Sequence, residues 1–203
     1  GPLGVIGSSS ANMLAEEADV VVAVGTRLQD FTTGSWSVFG NEQMRLIAIN
    51  AARYDAHKHR ALSVVGDALA GIEELGQALG GWKAPDPWIS QSRSLYAEWN
   101  TTVEQHSGPT TDVPPSYAHV IGAVNRVCDE TDLALTAAGG FPGELCKNWK
   151  TKSSGTFDCE FGFSCMGYEI AGGWGAKMAD PDRDVIVFVG DGSYMKMNSD
   201  IYS

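Results

Sequence analysis

DVIVFVGDGSY, residues 184–194, is an apolar run that stops at Gly190-Asp191-Gly192 and is followed by the hydroxyl of Ser193. A continuous β-branched run closed by a turn is the pattern of a strand buried on both faces, as in a parallel sheet. In a doubly wound sheet, ligands sit beyond the carboxyl ends of the strands, where a glycine turn leading into a helix presents backbone N–H groups to phosphate. Gly190 and Gly192 permit that approach. Asp191 is the odd member, because a carboxylate repels a phosphate unless a cation stands between them. Mg2+ resolves the conflict, since it accepts one or two protein oxygens and completes its shell with phosphate and water. Asp-Gly is also an ordinary turn pair, so the spacing alone leaves a plain strand-to-helix turn open.

The stretch before this strand, SCMGYEIAGGWGAKMADPDRD (164–184), predicts a helix over 165–179 that contains Gly167, Gly172, Gly173 and Gly175. Each glycine costs a helix about 0.5–1 kcal/mol relative to alanine, so close packing or a ligand has to repay them. Gly167, Ala171 and Gly175 recur every four residues and predict a face of nearly bare backbone, with Met166 at its mouth. Glu169 puts a charge on this helix, which reads either as a partly exposed face, by the usual surface preference of glutamate, or as a feature that discriminates among otherwise similar sequences. TAAGGFPGEL (136–145) reads as a strand end that opens into a loop of Ala138, Gly139 and Gly140 and then a helix starting near Pro142. Two adjacent strands ending in small-residue loops make a cradle for phosphate.

Further out, VVVAVG (20–25), RLIAIN (45–50) and ALSVVGD (61–67) repeat the strand signal, with helices predicted from the hydroxyl-rich SSSANMLAEEAD and from Asp67 as an N-cap. Strands alternating with helices predict parallel sheets covered by helices. Proline-rich punctuation surrounds one more helix, WISQSRSLYAEWNTTVEQ, and PPSYAHVIGAVNRVCDE predicts a helix with Pro115 near its first position. The boundaries expected are 1–84, a linker region 85–114, and 115–203.

The 203 residues are 43% hydrophobic, enough for a proper core. Lys and Arg number 14 against 25 Asp and Glu, a net charge of −11 without a basic cluster, which argues against nucleic acid. No apolar run reaches the roughly 18–20 residues of a membrane span, so neither membrane nor export is expected and the cytoplasm is the expected location. Cys128, Cys146, Cys159 and Cys165 lack metal or redox spacing and read as reduced, buried thiols. His57 and His59 have no third ligand nearby and read as loop residues.

Taken together, AAGGFPGEL and FGFSCMGYEIAGGWGAKMADPDRDVIVFVGDGSYMKMNSDI resemble the diphosphate-binding domain of thiamin-diphosphate-dependent enzymes. The part before residue 85, with DVVVAVGTRLQDF and VVGDALAGIEEL, is similar to the later portion of their central domain. The resemblance implies an α/β fold of parallel sheets with helices on both faces, a partial central domain followed by a partial thiamin-diphosphate-binding domain. It implies thiamin diphosphate and Mg2+ as cofactors, with Asp191 as metal ligand and Gly190, Gly192 and Ser193 against the diphosphate. Ala138, Gly139 and Gly140 would line its other side. Met166 matches the bulky residue that bends the cofactor, and the carbonyl of Ser164 and the amide of Met166 match groups that hold its aminopyrimidine.

FTTGSWSVF, SCMGYEIAG and GDGSYMKMNSDI most resemble the members that hydrolyse a ring carbon–carbon bond of a cyclic diketone in myo-inositol catabolism. Acetohydroxyacid-synthase-like enzymes, decarboxylases and a non-catalytic phosphate-binding module remain alternatives. The family's activating glutamate belongs to an N-terminal domain, and its Mg2+-completing asparagine follows GDG by a helix and a strand; Asn198 is too close to Asp191 to match it. The expectation is therefore an internal fragment with no catalytic residue of its own, inactive alone, from a homo-oligomeric parent enzyme.

Overall fold

The computed structural model describes residues 1–202 and divides into two compact units, Gly1–Asn100 and Thr101–Ser203. Unit 1 opens with α1 (Ser9–Glu17), whose N-cap Ser8 accepts the amide of Ala11 at 3.2 Å. Then follow β1 (Val20–Val24), a single turn α2 (Asp30–Thr33), β2 (Arg45–Asn50), a second short turn α3 (Arg53–Ala56), β3 (Leu62–Val65) and α4 (Ala68–Leu79). Asp67 caps α4 as its spacing predicts, accepting the amide of Ala70 at 3.0 Å, and Gly80 closes it. The three strands pair in parallel in the order β1-β2-β3.

Registry puts Ala23, Leu46 and Ala48 on one face, where all three are buried. On the other face α4 lies over buried Ile49, while Val20, Val22, Leu62 and Val64 stay exposed. A fifth helix, α5 (Asp86–His106), occupies the stretch expected as a linker, and the boundary between the units falls inside it.

Unit 2 continues with α6 (Tyr117–Val127), β4 (Leu133–Thr136), α7 (Gly140–Asn148), β5 (Phe157–Cys159), α8 (Tyr168–Ala179), β6 (Val185–Val187) and α9 (Asp191–Met197). Ser116 and His119 form the capping box of α6, so Pro115 stands just before the cap rather than at the first helical position. The short strand β5 is not signalled by its sequence, FDC, and exists because it pairs with β4 in register, Ala134 to Phe157 and Thr136 to Cys159. On the other side β4 pairs in parallel with β6, giving the order β5-β4-β6. The chain thus moves from β4 to one neighbour and crosses back to the other. Right-handed crossovers in opposite directions place α7 and α8 on opposite faces of this sheet.

The core of unit 2 joins Ile121, Ala134, Leu145 and Phe188, with Phe141 and Trp149 edge-on to Phe188 at centroid distances of 5.6 and 5.5 Å. A groove of about 600 Å³ runs along the free edge of β6, lined by Trp174, Val185, Val187, Tyr194 and Ile201 among others. All four cysteines are free, as expected; only Cys128 is buried and Cys165 is exposed, because the loop that carries it lies at the surface. Among the described residues no helix is long and apolar enough to cross a membrane, and no cluster of three His, Cys, Asp or Glu residues forms a metal cage.

Because Leu145 is fully buried in the core of unit 2, Leu145→Ala is expected to destabilise that unit by about 2–5 kcal/mol. Urea denaturation followed by far-UV circular dichroism, with amide exchange of β4 to localise the loss, checks this.

Candidate functional site

The pairing of β4 with both neighbours sends three loops out of one edge of the sheet. Beyond β4, the buried Thr136 hydroxyl donates to the carbonyl of Phe188 at 2.9 Å, and the Thr136 carbonyl accepts the amide of Glu160 at 3.2 Å. The end of the central strand is thereby tied to the ends of both neighbours. Those loops and the helix start beyond them, 137–140 after β4, 160–167 after β5, and 188–193 running into the first turn of α9, carry the candidate cofactor and metal residues.

In the first loop Ala138 is half-buried, and Gly139, exposed, caps α7 with φ +127° and ψ −173°. Glycine is required there, since a side chain at that φ clashes with its own backbone. The helix starts at Gly140, two residues before Pro142, because proline is tolerated inside a first turn that needs no amide from it. A Cβ placed on Gly140 or on Gly190 meets no atom within 4 Å, so both face open space where a ligand has room to approach.

In the third loop the helix opens at Asp191 itself, with Gly190 as its cap. The Asp191 carboxylate is exposed and accepts the amide of Gly192 at 2.8 Å through Oδ1, with Oδ2 uncommitted among the described residues. No ion pair engages it among the described residues. A hard cation held there draws its remaining oxygens from phosphate, water or backbone, which is how Mg2+ is ordinarily bound. Ser193 is buried, so its side chain faces the interior while its backbone continues the turn.

The second loop is built by carboxylates. Glu160 accepts the amides of Phe163 at 2.8 Å and Cys165 at 2.7 Å, bending the chain around Ser164, which sits at φ +53°. These bonds, that from Cys165 first, hold the Glu160 carboxyl below the usual glutamate range. Met166, with 42% exposure, reaches across to the third loop: its Cε lies 3.4 Å from where a Cβ on Gly192 would be.

Two expectations about the following helix are corrected. It begins at Tyr168, and Gly167 is its cap at φ +101°, so the bare face of Gly167, Ala171 and Gly175 is not what meets the sheet. Gly173 does that: a Cβ there would stand 2.4 Å from Val187 Cγ2, so the helix approaches β6 more closely than any other residue allows. Glu169 is fully buried rather than partly exposed, with Oε2 accepting the amide of Gly167 at 2.9 Å. Tyr168 donates to Asp158 Oδ2 at 2.7 Å, and that bond to a carboxylate pushes its phenol up to about 12. Sequence reasoning missed the roles of Glu160 and Asp158, since neither stands in a glycine-rich motif; the only signal was a pair of acids just before a loop.

The descriptions of two protein families match the chain. "Thiamine pyrophosphate enzyme, central domain" covers residues 1–75, and "Thiamine pyrophosphate enzyme, C-terminal TPP binding domain" covers residues 137–202, which include all three loops. The chain is 36% identical to 3D-(3,5/4)-trihydroxycyclohexane-1,2-dione hydrolase of Geobacillus thermodenitrificans (strain NG80-2), over 99% of its own length and 34% of the relative's. It is 35% identical to the proteins of that name from Bacillus cereus (strain AH820) and Bacillus anthracis (strain CDC 684 / NRRL 3495), over 99% of its length and 35% of theirs. The chain spans about a third of the length of the curated relatives it matches.

The lowered Glu160 carboxyl makes the second loop sensitive to acid. A folded pKa below the unfolded one contributes stability that is complete above the ordinary glutamate value of about 4.3 and is lost as pH falls through the folded value. The amide resonances of Phe163 and Cys165 are therefore expected to titrate together below that value and to be insensitive to pH in Glu160→Gln, as followed by NMR.

Proposed function

The chain belongs to the thiamine pyrophosphate enzymes, carrying their central domain and their C-terminal TPP-binding domain, and on that premise we propose that it is part of a Mg2+-dependent hydrolase that opens the ring of trihydroxycyclohexane-1,2-dione by breaking a carbon–carbon bond. The observation that carries the cofactor reading is the convergence of three loops on one sheet edge, with open space before Gly140 and Gly190 and, directly after Gly190, an aspartate that makes no ion pair among the described residues. The substrate reading rests on the shared name of the relatives.

When bound, thiamin diphosphate supplies an electron sink for carbon–carbon cleavage, and the protein supplies binding and orientation. In this reading the backbone of Gly190, Gly192 and Ser193 faces the diphosphate, with Ala138, Gly139 and Gly140 on its other side. Asp191 offers Oδ2 to Mg2+, which neutralises the repulsion between that carboxylate and phosphate. The carbonyl of Ser164 and the amide of Met166 would hold the aminopyrimidine, and the Met166 side chain would lie against the organic part of the cofactor.

No glutamate of this chain is assigned to activating the cofactor. We accordingly place catalysis in a longer, cytoplasmic, homo-oligomeric protein of which residues 1–84 form part of the central domain, 85–114 a linker region and 115–203 part of the diphosphate-binding domain.

Calorimetric titration of the chain with thiamin diphosphate and Mg2+ tests the site. Asp191→Ala is expected to weaken binding at least about tenfold, the scale of losing one metal-mediated contact; equally strong binding by wild type and variant overturns the assignment. Turnover of the cyclic dione, and not of pyruvate, by the complete protein tests the substrate.

A further inference from the structure

Glu169 is 0% exposed and its Oε1 has no hydrogen-bond partner among the described residues. A buried carboxylate oxygen without a donor is costly, and an apolar side chain in its place would carry no such cost. Packing therefore does not account for a glutamate at this position. What Glu169 does contribute is one bond, from Oε2 to the amide of Gly167 at 2.9 Å.

Gly167 is the hinge of the Met166 turn. It stands at φ +101°, and a Cβ on it would lie 2.1 Å from Met197 Cγ, so its backbone is pressed against α9. Met166 precedes it and spans to Gly192 in the first turn of α9. The residue after it, Tyr168, is tied to β5 through Asp158. The turn is thus fixed on its far side by Tyr168 and on its near side by Glu160, which holds the Cys165 amide, while the amide that directly follows Met166, that of Gly167, is held among the described residues by Glu169.

We propose that Glu169 is a positioning residue for Met166: its buried carboxylate holds the Gly167 amide and so sets where the methionine stands over Gly192. The proposal rests on the cofactor reading above, in which Met166 touches the organic part of thiamin diphosphate while the glycine loops touch only its diphosphate. Positioning by Glu169 then affects recognition of the whole cofactor and leaves recognition of diphosphate alone intact.

Three forms of the chain separate the outcomes: wild type, Glu169→Gln, which keeps an acceptor oxygen, and Glu169→Leu, which fills the space without one. Amide exchange reads the turn without any ligand. Calorimetry with Mg2+ and either thiamin diphosphate or inorganic diphosphate reads the site, and thermal melts confirm that each variant is folded.

In Glu169→Leu the Gly167 amide is expected to exchange at least about tenfold faster and thiamin diphosphate to bind at least about tenfold more weakly, with inorganic diphosphate unchanged. Glu169→Gln is expected to restore both properties towards wild type. Equal weakening of both ligands in Glu169→Leu, unchanged exchange at Gly167, or failure of glutamine to rescue overturns the positioning role. Wild type that binds neither ligand overturns the cofactor reading and the proposal with it, a result distinct from wild type that binds both while Glu169→Leu binds them equally well.

Discussion

The parallel pairing of β4 with β5 on one side and β6 on the other carries the rest of unit 2. Hydrogen bonding of a central strand to two parallel neighbours puts three carboxyl ends at one edge, and the reversal of direction between them opens a crevice there. Thr136 secures this arrangement at the point where it matters, bonding through its hydroxyl to one neighbour and through its carbonyl to the other. Its full burial keeps water from competing for either bond.

Beyond the strand ends, the loops are shaped by acidic side chains that accept backbone amides. Glu160 closes the loop around Ser164, Glu169 holds the amide after Met166, and Asp191 accepts the amide of Gly192. Charged acceptors make stronger bonds than neutral ones, and several short loops are stiffened here without a disulfide or a large core of their own. A chain with net charge −11 thus spends part of its acidity on internal architecture. In the cofactor reading the cation recruited by Asp191 is what allows an acidic site to accept a diphosphate.

Much of the layout was legible in the sequence, for reasons that particular residues make plain. RLIAIN forms β2 over the residues its β-branched run predicts, and Asp67 caps α4 at the predicted amide spacing, because both signals act within a few residues along the chain. The glycines at 139, 140, 190 and 192 marked the loops, because missing side chains at strand ends show in sequence without knowledge of the fold. Strand β5 was invisible, since a three-residue strand draws its stability from its partner rather than from its own composition. The start of α8 was misjudged by three residues because nothing local distinguishes a capping glycine from one inside a helix; Gly167 takes a positive φ with Met197 of α9 packed against it, a contact from outside its own segment.

The sequence by itself determined the alternation of strands and helices, the glycine-rich ends of β4 and β6, the family to which these motifs are similar, and the place of Asp191 as an acid between two glycines after β6. All of these depend on neighbours in the chain or on residue type. Tertiary structure alone decided that Glu169 is buried, that Gly173 rather than the Gly167-Ala171-Gly175 face meets the sheet, and that Met166 reaches Gly192. Each of those is a contact between segments distant in sequence, and burial is a property of what packs around a side chain, which its own charge and spacing do not encode.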